Sequence, residues 1–283
     1  MMKKIVSFMA LCLLSLWGMA QTEIVFSKEY LQLRDSSIIA YRKLHIEGKN
    51  PMLVIYLHGG SSCGTNNETQ MGELGIDSIA RYLVRQDMPA IFIVPQCNNR
   101  AKGWGGIATN VKYLLDDVAQ QEATDMTRIY IFGGSMGGTG TWKMLSLYPN
   151  YFAAAMPCAG NSKGMNAENV ATTPVYTVMG LADKIMDSNV RTTVETFVSQ
   201  LKTLGDDVQY ETVAGWTHET TCIQSYSAAR LDWVFSHKRG KTTNLTIPSA
   251  DTTDDGWYDV SGHRFTAPPT HGVYIHQGKK HVL

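Results

Sequence analysis

An α/β domain with a mainly parallel sheet and helices on both faces is predicted by three features of this chain. Residues 51–57, 90–94 and 129–132 are apolar without interruption and 175–179 is broken only by Thr177, as in strands covered on both sides. Residues 75–86, 111–119 and 190–204 fall between or after these runs and space their apolar side chains at helical intervals. The strands also end in turns that carry glycine or polar residues, so the chain alternates strand, loop and helix.

The bulk properties agree with one such domain. The chain has 283 residues, 44% of them hydrophobic, which is enough for one large buried core. Lys plus Arg and Asp plus Glu number 25 each, so the formal charge is zero and no basic field speaks for nucleic acid or an anionic membrane.

The N-terminus reads as an address. Lys3 and Lys4 precede an apolar run over 5–17, and Gly18-Met19-Ala20 offers a small-x-small cleavage site. Thirteen residues are short for a bilayer that needs about 20. A signal peptide over 1–20 and an exported mature chain from Gln21 are therefore expected. Cleavage removes Cys12 and leaves Cys63, Cys97, Cys158 and Cys222, whose spacing has no zinc-site pattern and permits three disulfide pairings.

Taken in order, residues 23–33 and 36–46 alternate around Arg34-Asp35 and predict an antiparallel hairpin at one sheet edge. The buried run 51–57 follows and ends at His58-Gly59-Gly60. A helix over 75–86, a strand over 90–94, a polar loop with Trp104 and a helix over 111–119 lead to the run that ends at residue 132. Residues 152–156 read as a short strand, and the seventeen residues 157–173 are too few for a helical lid, so an open site is expected. Strands over 175–179 and 208–213 and a single closing helix over about 223–237 complete the domain.

The chemistry centres on IYIFGGSMGGTG, residues 129–140, where a strand stops at Gly133-Gly134-Ser135-Met136-Gly137 and a helix starts. Small residues two before and two after a serine allow the sharp strand-to-helix turn that lifts its hydroxyl above a sheet. The turn also leaves the Met136 N–H at a helix N-terminus, where it can bind an oxyanion. Gly60 is the candidate for the second oxyanion donor, since glycine lets a backbone N–H approach a substrate closely. His58 is read as structural. An elbow serine needs an acid and then a histidine in later loops at strand ends, and Asp183 and His218 satisfy both order and placement. Asp187 is a rival acid but falls where a helix N-cap belongs. Trp104 and Trp216 are candidate aromatic faces for a sugar or phenolic group. This chemistry needs no metal or organic cofactor.

The segments LVIYLHGGSSCGTNNETQ, FIVPQC, RIYIFGGSMGGTGTW, YPNYFAAAMPCAG, PVYTVMGLADKIMD and AGWTH together resemble the α/β-hydrolase esterases of the polyhydroxybutyrate-depolymerase, feruloyl-esterase and predicted-peptidase group, over residues 53–235. The resemblance implies the α/β-hydrolase fold without a lid domain. It also implies a serine hydrolase of esters, often the acyl groups of plant polysaccharides, with Ser135, Asp183 and His218 as its triad. A serine peptidase on the same fold and a noncatalytic surface binding protein are the alternatives.

The polar, threonine-rich stretch 239–253 reads as a linker, which bounds the catalytic domain at 21–238. The tail 254–283 resembles the end of type IX secretion sorting domains at Tyr258, Asp259, Gly262, Gly272, Tyr274, Ile275, Gly278, Lys279 and Lys280, which implies the secretion machinery as a partner. Tyr258-Asp259 and residues 272–275 are expected to form two short strands around a Pro268-Pro269 turn.

Overall fold

The computed structural model describes residues 24–33, 36–240, 256–259, 264–265, 273–276 and 279–282. The expected signal peptide, the hairpin tip at 34–35, most of the linker and the Pro268-Pro269 turn lie outside the described residues.

Strands β1 (Ser27–Gln32) and β2 (Ile38–Ile46) form the expected edge hairpin, with Tyr30 opposite Ala40. The domain continues through β3 (Met52–Leu57), α1 (Leu74–Arg85), β4 (Ala90–Pro95), α2 (Ala108–Gln121), β5 (Ile129–Gly134) and α3 (Met136–Leu147). It then runs through β6 (Ala154–Cys158), the one-turn α4 (Ala167–Val170), β7 (Val175–Gly180), α5 (Ser188–Thr203), β8 (Val208–Val213), α6 (His218–Gln224) and α7 (Ala228–Ser236). The sheet order is β1-β2-β4-β3-β5-β6-β7-β8, antiparallel at β1-β2-β4 and parallel from β4 onward.

That order locates the site. From β3 the chain steps to β4 on one side, and from β5 onward it builds the other side. The sheet therefore switches direction of growth between β3 and β5, and the crevice at their C-terminal ends is where open α/β sheets bind ligands. The loop that starts at His58 follows β3, and Ser135 follows β5.

The two faces of the sheet account for the uninterrupted apolar runs. Along β3, Leu53, Ile55 and Leu57 enter the core beneath α2, α3 and α5, while Met52, Val54 and Tyr56 enter the core beneath α1 and α7. Side chains alternate with period two, and both sets are dry. Only α4 interrupts the loop between β6 and β7, so among the described residues no lid stands between these strands.

Four expectations change. Strand β6 runs through Pro157, which lacks an N–H and had marked the strand's end. Its carbonyl still accepts the Thr177 hydroxyl at 2.6 Å. The single closing helix is two helices, because Tyr226 turns inward at the break and packs edge-to-face on Tyr56 (5.7 Å) and Phe132 (6.2 Å). Such aromatic pairs contribute about 0.5–1.5 kcal/mol each beyond burial. Arg230 Nη1 donates to the Gln224 and Ser225 carbonyls that the break exposes, at 3.3 and 3.2 Å. In the tail, β9 (Trp257–Asp259) pairs with β11 (Val273–His276) as expected, but β10 (Arg264–Phe265) and β12 (Lys279–Val282) flank them in a four-stranded sheet. Arg239, assigned to the linker, still holds the domain: its N–H donates to Thr127 O and its guanidinium to Asn150 O, both at 2.8 Å.

One buried acid sets a pH dependence. Asp206 follows the C-terminus of α5, where the helix dipole disfavours negative charge, and its Oδ2 is buried with no hydrogen-bond partner among the described residues. Burial, then the neighbouring Asp207, raise its carboxyl from the ordinary 3.8 to about 7. Below pH ~4 it is protonated in both folded and unfolded chains. As pH rises the unfolded chain releases its proton first, so stability is lost between about 4 and about 7. Asp206→Asn should raise Tm by several degrees at pH 8 and leave it unchanged near pH 4. Calorimetry across pH checks this, and equal shifts at both values would contradict it.

Candidate active site

The elbow forms because two elements meet too closely for side chains. A Cβ on Gly137 would stand 1.7 Å from the Leu57 carbonyl oxygen, so the first turn of α3 lies directly on the end of β3. Ser135 takes φ 58°, ψ −119° between β5 and α3. For a non-glycine residue that conformation costs on the order of 1–3 kcal/mol and persists because the flanking strand and helix fix it. The Ser135 N–H donates to Cys158 O at 3.1 Å, and the first amide of α3 to bond back is that of Thr139, to Ser135 O at 3.0 Å. The Met136 N–H therefore has no intrahelical acceptor.

The loops after β7 and β8 are stitched together. Leu181 N donates to Val213 O at 2.9 Å and Ala182 N to Trp216 O at 3.0 Å. The approach is tight enough that a Cβ on Gly180 would stand 2.3 Å from Trp216 O. This places the buried Asp183 beside His218, the first residue of α6, whose N-cap Thr217 accepts from Thr220 N. His218 Nδ1 lies 2.7 Å from Asp183 Oδ2, and His218 Nε2 lies 2.7 Å from Ser135 Oγ. Asp183 Oδ1 accepts the Ile185 and Met186 N–H groups, each at 2.8 Å. A carboxylate held by two amides keeps its other oxygen aimed at Nδ1, which favours the proton on Nδ1 and the lone pair of Nε2 facing the serine. Asp187 instead caps α5, accepting from Asn189 N (3.0 Å) and Val190 N (3.1 Å).

The loop after β3 is organised by three partners. His58 is fully buried, with Nδ1 2.7 Å from Gly59 O and Nε2 accepting the Cys97 N–H at 2.9 Å. Desolvation by burial lowers its pKa, so it stands as a neutral brace. Trp104 Nε1 donates to His58 O at 2.9 Å. Glu73 Oε1 accepts both the Gly59 N–H (2.8 Å) and the Ser62 hydroxyl (2.7 Å). Gly60 opens the single turn Gly60–Ser62, and its N–H has no acceptor among the described residues.

Ser135, His218 and Asp183 are thus brought together; Met136 directly follows Ser135, and Gly60 follows Gly59, on which a Cβ would stand 3.7 Å from Ser135 Cβ. Trp104 does not join them. Trp104 is 1% exposed, packed edge-on against His58 and committed through its N–H, so it supports the loop from below and offers no face to a ligand. Trp216 is half-buried: it packs against the second core, and the Arg230 guanidinium lies over its ring at 5.4 Å. Glu73 was not among the residues singled out in the sequence. It directly precedes a helix, where a carboxylate reads as an ordinary cap.

The four described cysteines are free thiols. Burial pushes Cys63 and Cys158 up to about 11, so both hold little thiolate at neutral pH.

Residues 108–179 match the model of the prolyl oligopeptidase family, a quarter of the chain that includes the elbow and stops short of Asp183 and His218. No curated protein matches the chain. Solved structures similar to it include a thermostable esterase, 26% identical with a TM-score of 0.68, covering 76% of this chain and 63% of its own. A puromycin-hydrolysing peptidase from Mycobacterium tuberculosis (16%, TM-score 0.58) covers 75% of this chain and 40% of its own. A feruloyl esterase module from Clostridium thermocellum, complexed with sinapinate (16%, TM-score 0.55), covers 75% and 88%. This chain spans less than two thirds of the first two. The chain has the α/β-hydrolase fold, and these solved structures are esterases and a peptidase that share it.

Proposed function

We propose that this protein is an exported serine hydrolase that cleaves carboxylic esters through an acyl-enzyme. The observation that carries the reading is the unbroken chain from Ser135 Oγ to His218 Nε2 and from Nδ1 to the buried Asp183, each link 2.7 Å. His218 takes the Ser135 proton as the hydroxyl attacks the acyl carbon. The Met136 and Gly60 N–H groups bind the oxyanion of the tetrahedral intermediate. The imidazolium, stabilised by Asp183, returns the proton to the leaving alcohol. Water then repeats the sequence on the acyl-enzyme and releases the acid.

The substrate reading is an acetyl or feruloyl group on polysaccharide. It rests on the absence of a lid over the described residues and on exposed Leu181 and Ile185 flanking Asp183, an apolar rim on which an acyl or phenolic group can lie. The tail is proposed as an address read by the secretion machinery. A second reading, a serine peptidase, is favoured by the match to the prolyl oligopeptidase model. Amide and ester cleavage share the intermediate and differ in the protonation of a poorer leaving group.

A panel of acetylated and feruloylated xylan fragments, short aryl esters, long-chain esters and peptide anilides separates these. Acylated fragments should be turned over at least as fast as aryl acetates, and anilides far more slowly. A preference for long-chain esters would overturn the polysaccharide reading, and anilide turnover equal to that of esters would favour the peptidase.

A further inference from the structure

We infer that Glu73 is a positioning residue that sets the oxyanion donor of the β3 loop, an inference that rests on the acyl-transfer reading above. Three backbone groups of His58 and Gly59 around that donor are already used: His58 O, Gly59 O and the Gly59 N–H. His58 O accepts from Trp104 Nε1, and Gly59 O accepts from the Ser62 N–H at 3.2 Å. Gly59 N–H and the Ser62 hydroxyl both point at Glu73 Oε1. The carboxylate therefore clamps the two ends of the Gly60–Ser62 turn, and Gly60 is left between them with its N–H free.

Proximity to the chemistry makes this more than loop packing. A Cβ on Gly59 would stand 3.1 Å from Glu73 Oε1 and 3.7 Å from Ser135 Cβ, so the clamp and the serine share the Gly59 side of the crevice. Hydrogen bonds to an ionised acceptor are shorter and roughly twice as strong as neutral ones, which suits a clamp that must hold a donor without moving during the reaction. Glu73 also sits at the N-cap position of α1, with Ile76 N donating to Glu73 O at 3.0 Å, so it is anchored to a helix with four large apolar or alanine side chains in the core. A negative charge this near a developing oxyanion works against it electrostatically. Its benefit must come from geometry.

That distinction is testable because one oxygen does both jobs. Glu73→Gln keeps an Oε1 for Gly59 and Ser62, and its amide can face Tyr56 OH, which lies 3.5 Å from Oε2. Glu73→Ala removes the acceptor, and Ser62→Ala removes one of the two anchors while risking little else. The expected result is a fall in kcat of about a hundredfold for Glu73→Ala, the scale of losing one oxyanion donor. KM should be little changed, the loss for Ser62→Ala smaller, and Glu73→Gln should restore activity to within tenfold of wild type. The affinity of an alkyl trifluoromethyl ketone, whose hemiketal places an oxyanion in the same hole, should fall in parallel with kcat/KM across the variants. Melting temperatures identify any variant that fails to fold, in which case Ser62→Ala and Glu73→Gln carry the test. Undiminished turnover in Glu73→Ala, or a folded Glu73→Gln as damaged as Glu73→Ala, overturns the positioning role alone. Wild-type protein with no Ser135-dependent ester turnover overturns the catalytic reading and this role with it.

Discussion

Replacing Ser135 with alanine is expected to lower kcat for aryl acetates by about 10⁵- to 10⁶-fold, the scale at which removal of a nucleophile leaves only binding and oxyanion stabilisation. The size follows from what the side chain does. Its oxygen is the atom that bonds to the acyl carbon, and it lies 2.7 Å from the base that must accept its proton. Water in its place lacks both the fixed position and the base alignment. Stability should change by no more than a degree or two in Tm. Alanine has the same Cβ at φ 58°, and the N–H bond to Cys158 O does not involve the side chain. A fluorophosphonate should label the wild type at Ser135 and leave the variant unlabelled. Turnover within tenfold of wild type, in protein shown to be folded, would exclude Ser135 as nucleophile.

The residues that could be picked out from the sequence share a physical property. Ser135, Asp183 and His218 each stand in a turn of small or polar residues just after a strand, and the strand before Ser135 is apolar until it reaches Gly133. Where an element is fixed by its own local pattern, it reads correctly: the edge hairpin, α1, α2 and α5 lie where periodicity puts them. What did not read is fixed by partners far along the chain. Trp104 looked like a ligand platform because its loop is polar, but its N–H is claimed by His58 O, 46 residues earlier. The closing helix was expected as one element over residues 223–237, yet Tyr226 enters the aromatic cluster of Tyr56 and Phe132 and breaks it in two. Glu73 carries no local signal that sets it apart, and only the fold brings it to Gly59 and Ser62. The tail's strands β10 (RF) and β12 (KKHV) carry no apolar alternation of their own and are defined by pairing with β9 and β11.

Asp183→Asn should lower kcat/KM for esters by about 10⁴-fold, while Asp187→Asn should leave it within twofold. The two acids are four residues apart and differ in what their oxygens face. Asparagine at 183 can keep its oxygen on the Ile185 and Met186 amides, so the loop retains its shape. The NH₂ group then takes the place of Oδ2, 2.7 Å from His218 Nδ1. A donor there can pair only with an unprotonated Nδ1, which forces the imidazole proton onto Nε2. In that tautomer Nε2 points a hydrogen at Ser135 Oγ and cannot accept the serine proton, and no carboxylate remains to stabilise an imidazolium. The expected signature is therefore a folded protein with nearly intact Tm and substrate affinity and a collapsed kcat. At Asp187 the oxygen accepts the Asn189 and Val190 amides at the start of α5, and asparagine is an N-cap of equal rank. Kinetics on aryl acetates with parallel melting curves decide between them. A comparable loss at Asp187, or more than a tenth of wild-type activity kept by Asp183→Asn, would move the acid's role away from Asp183.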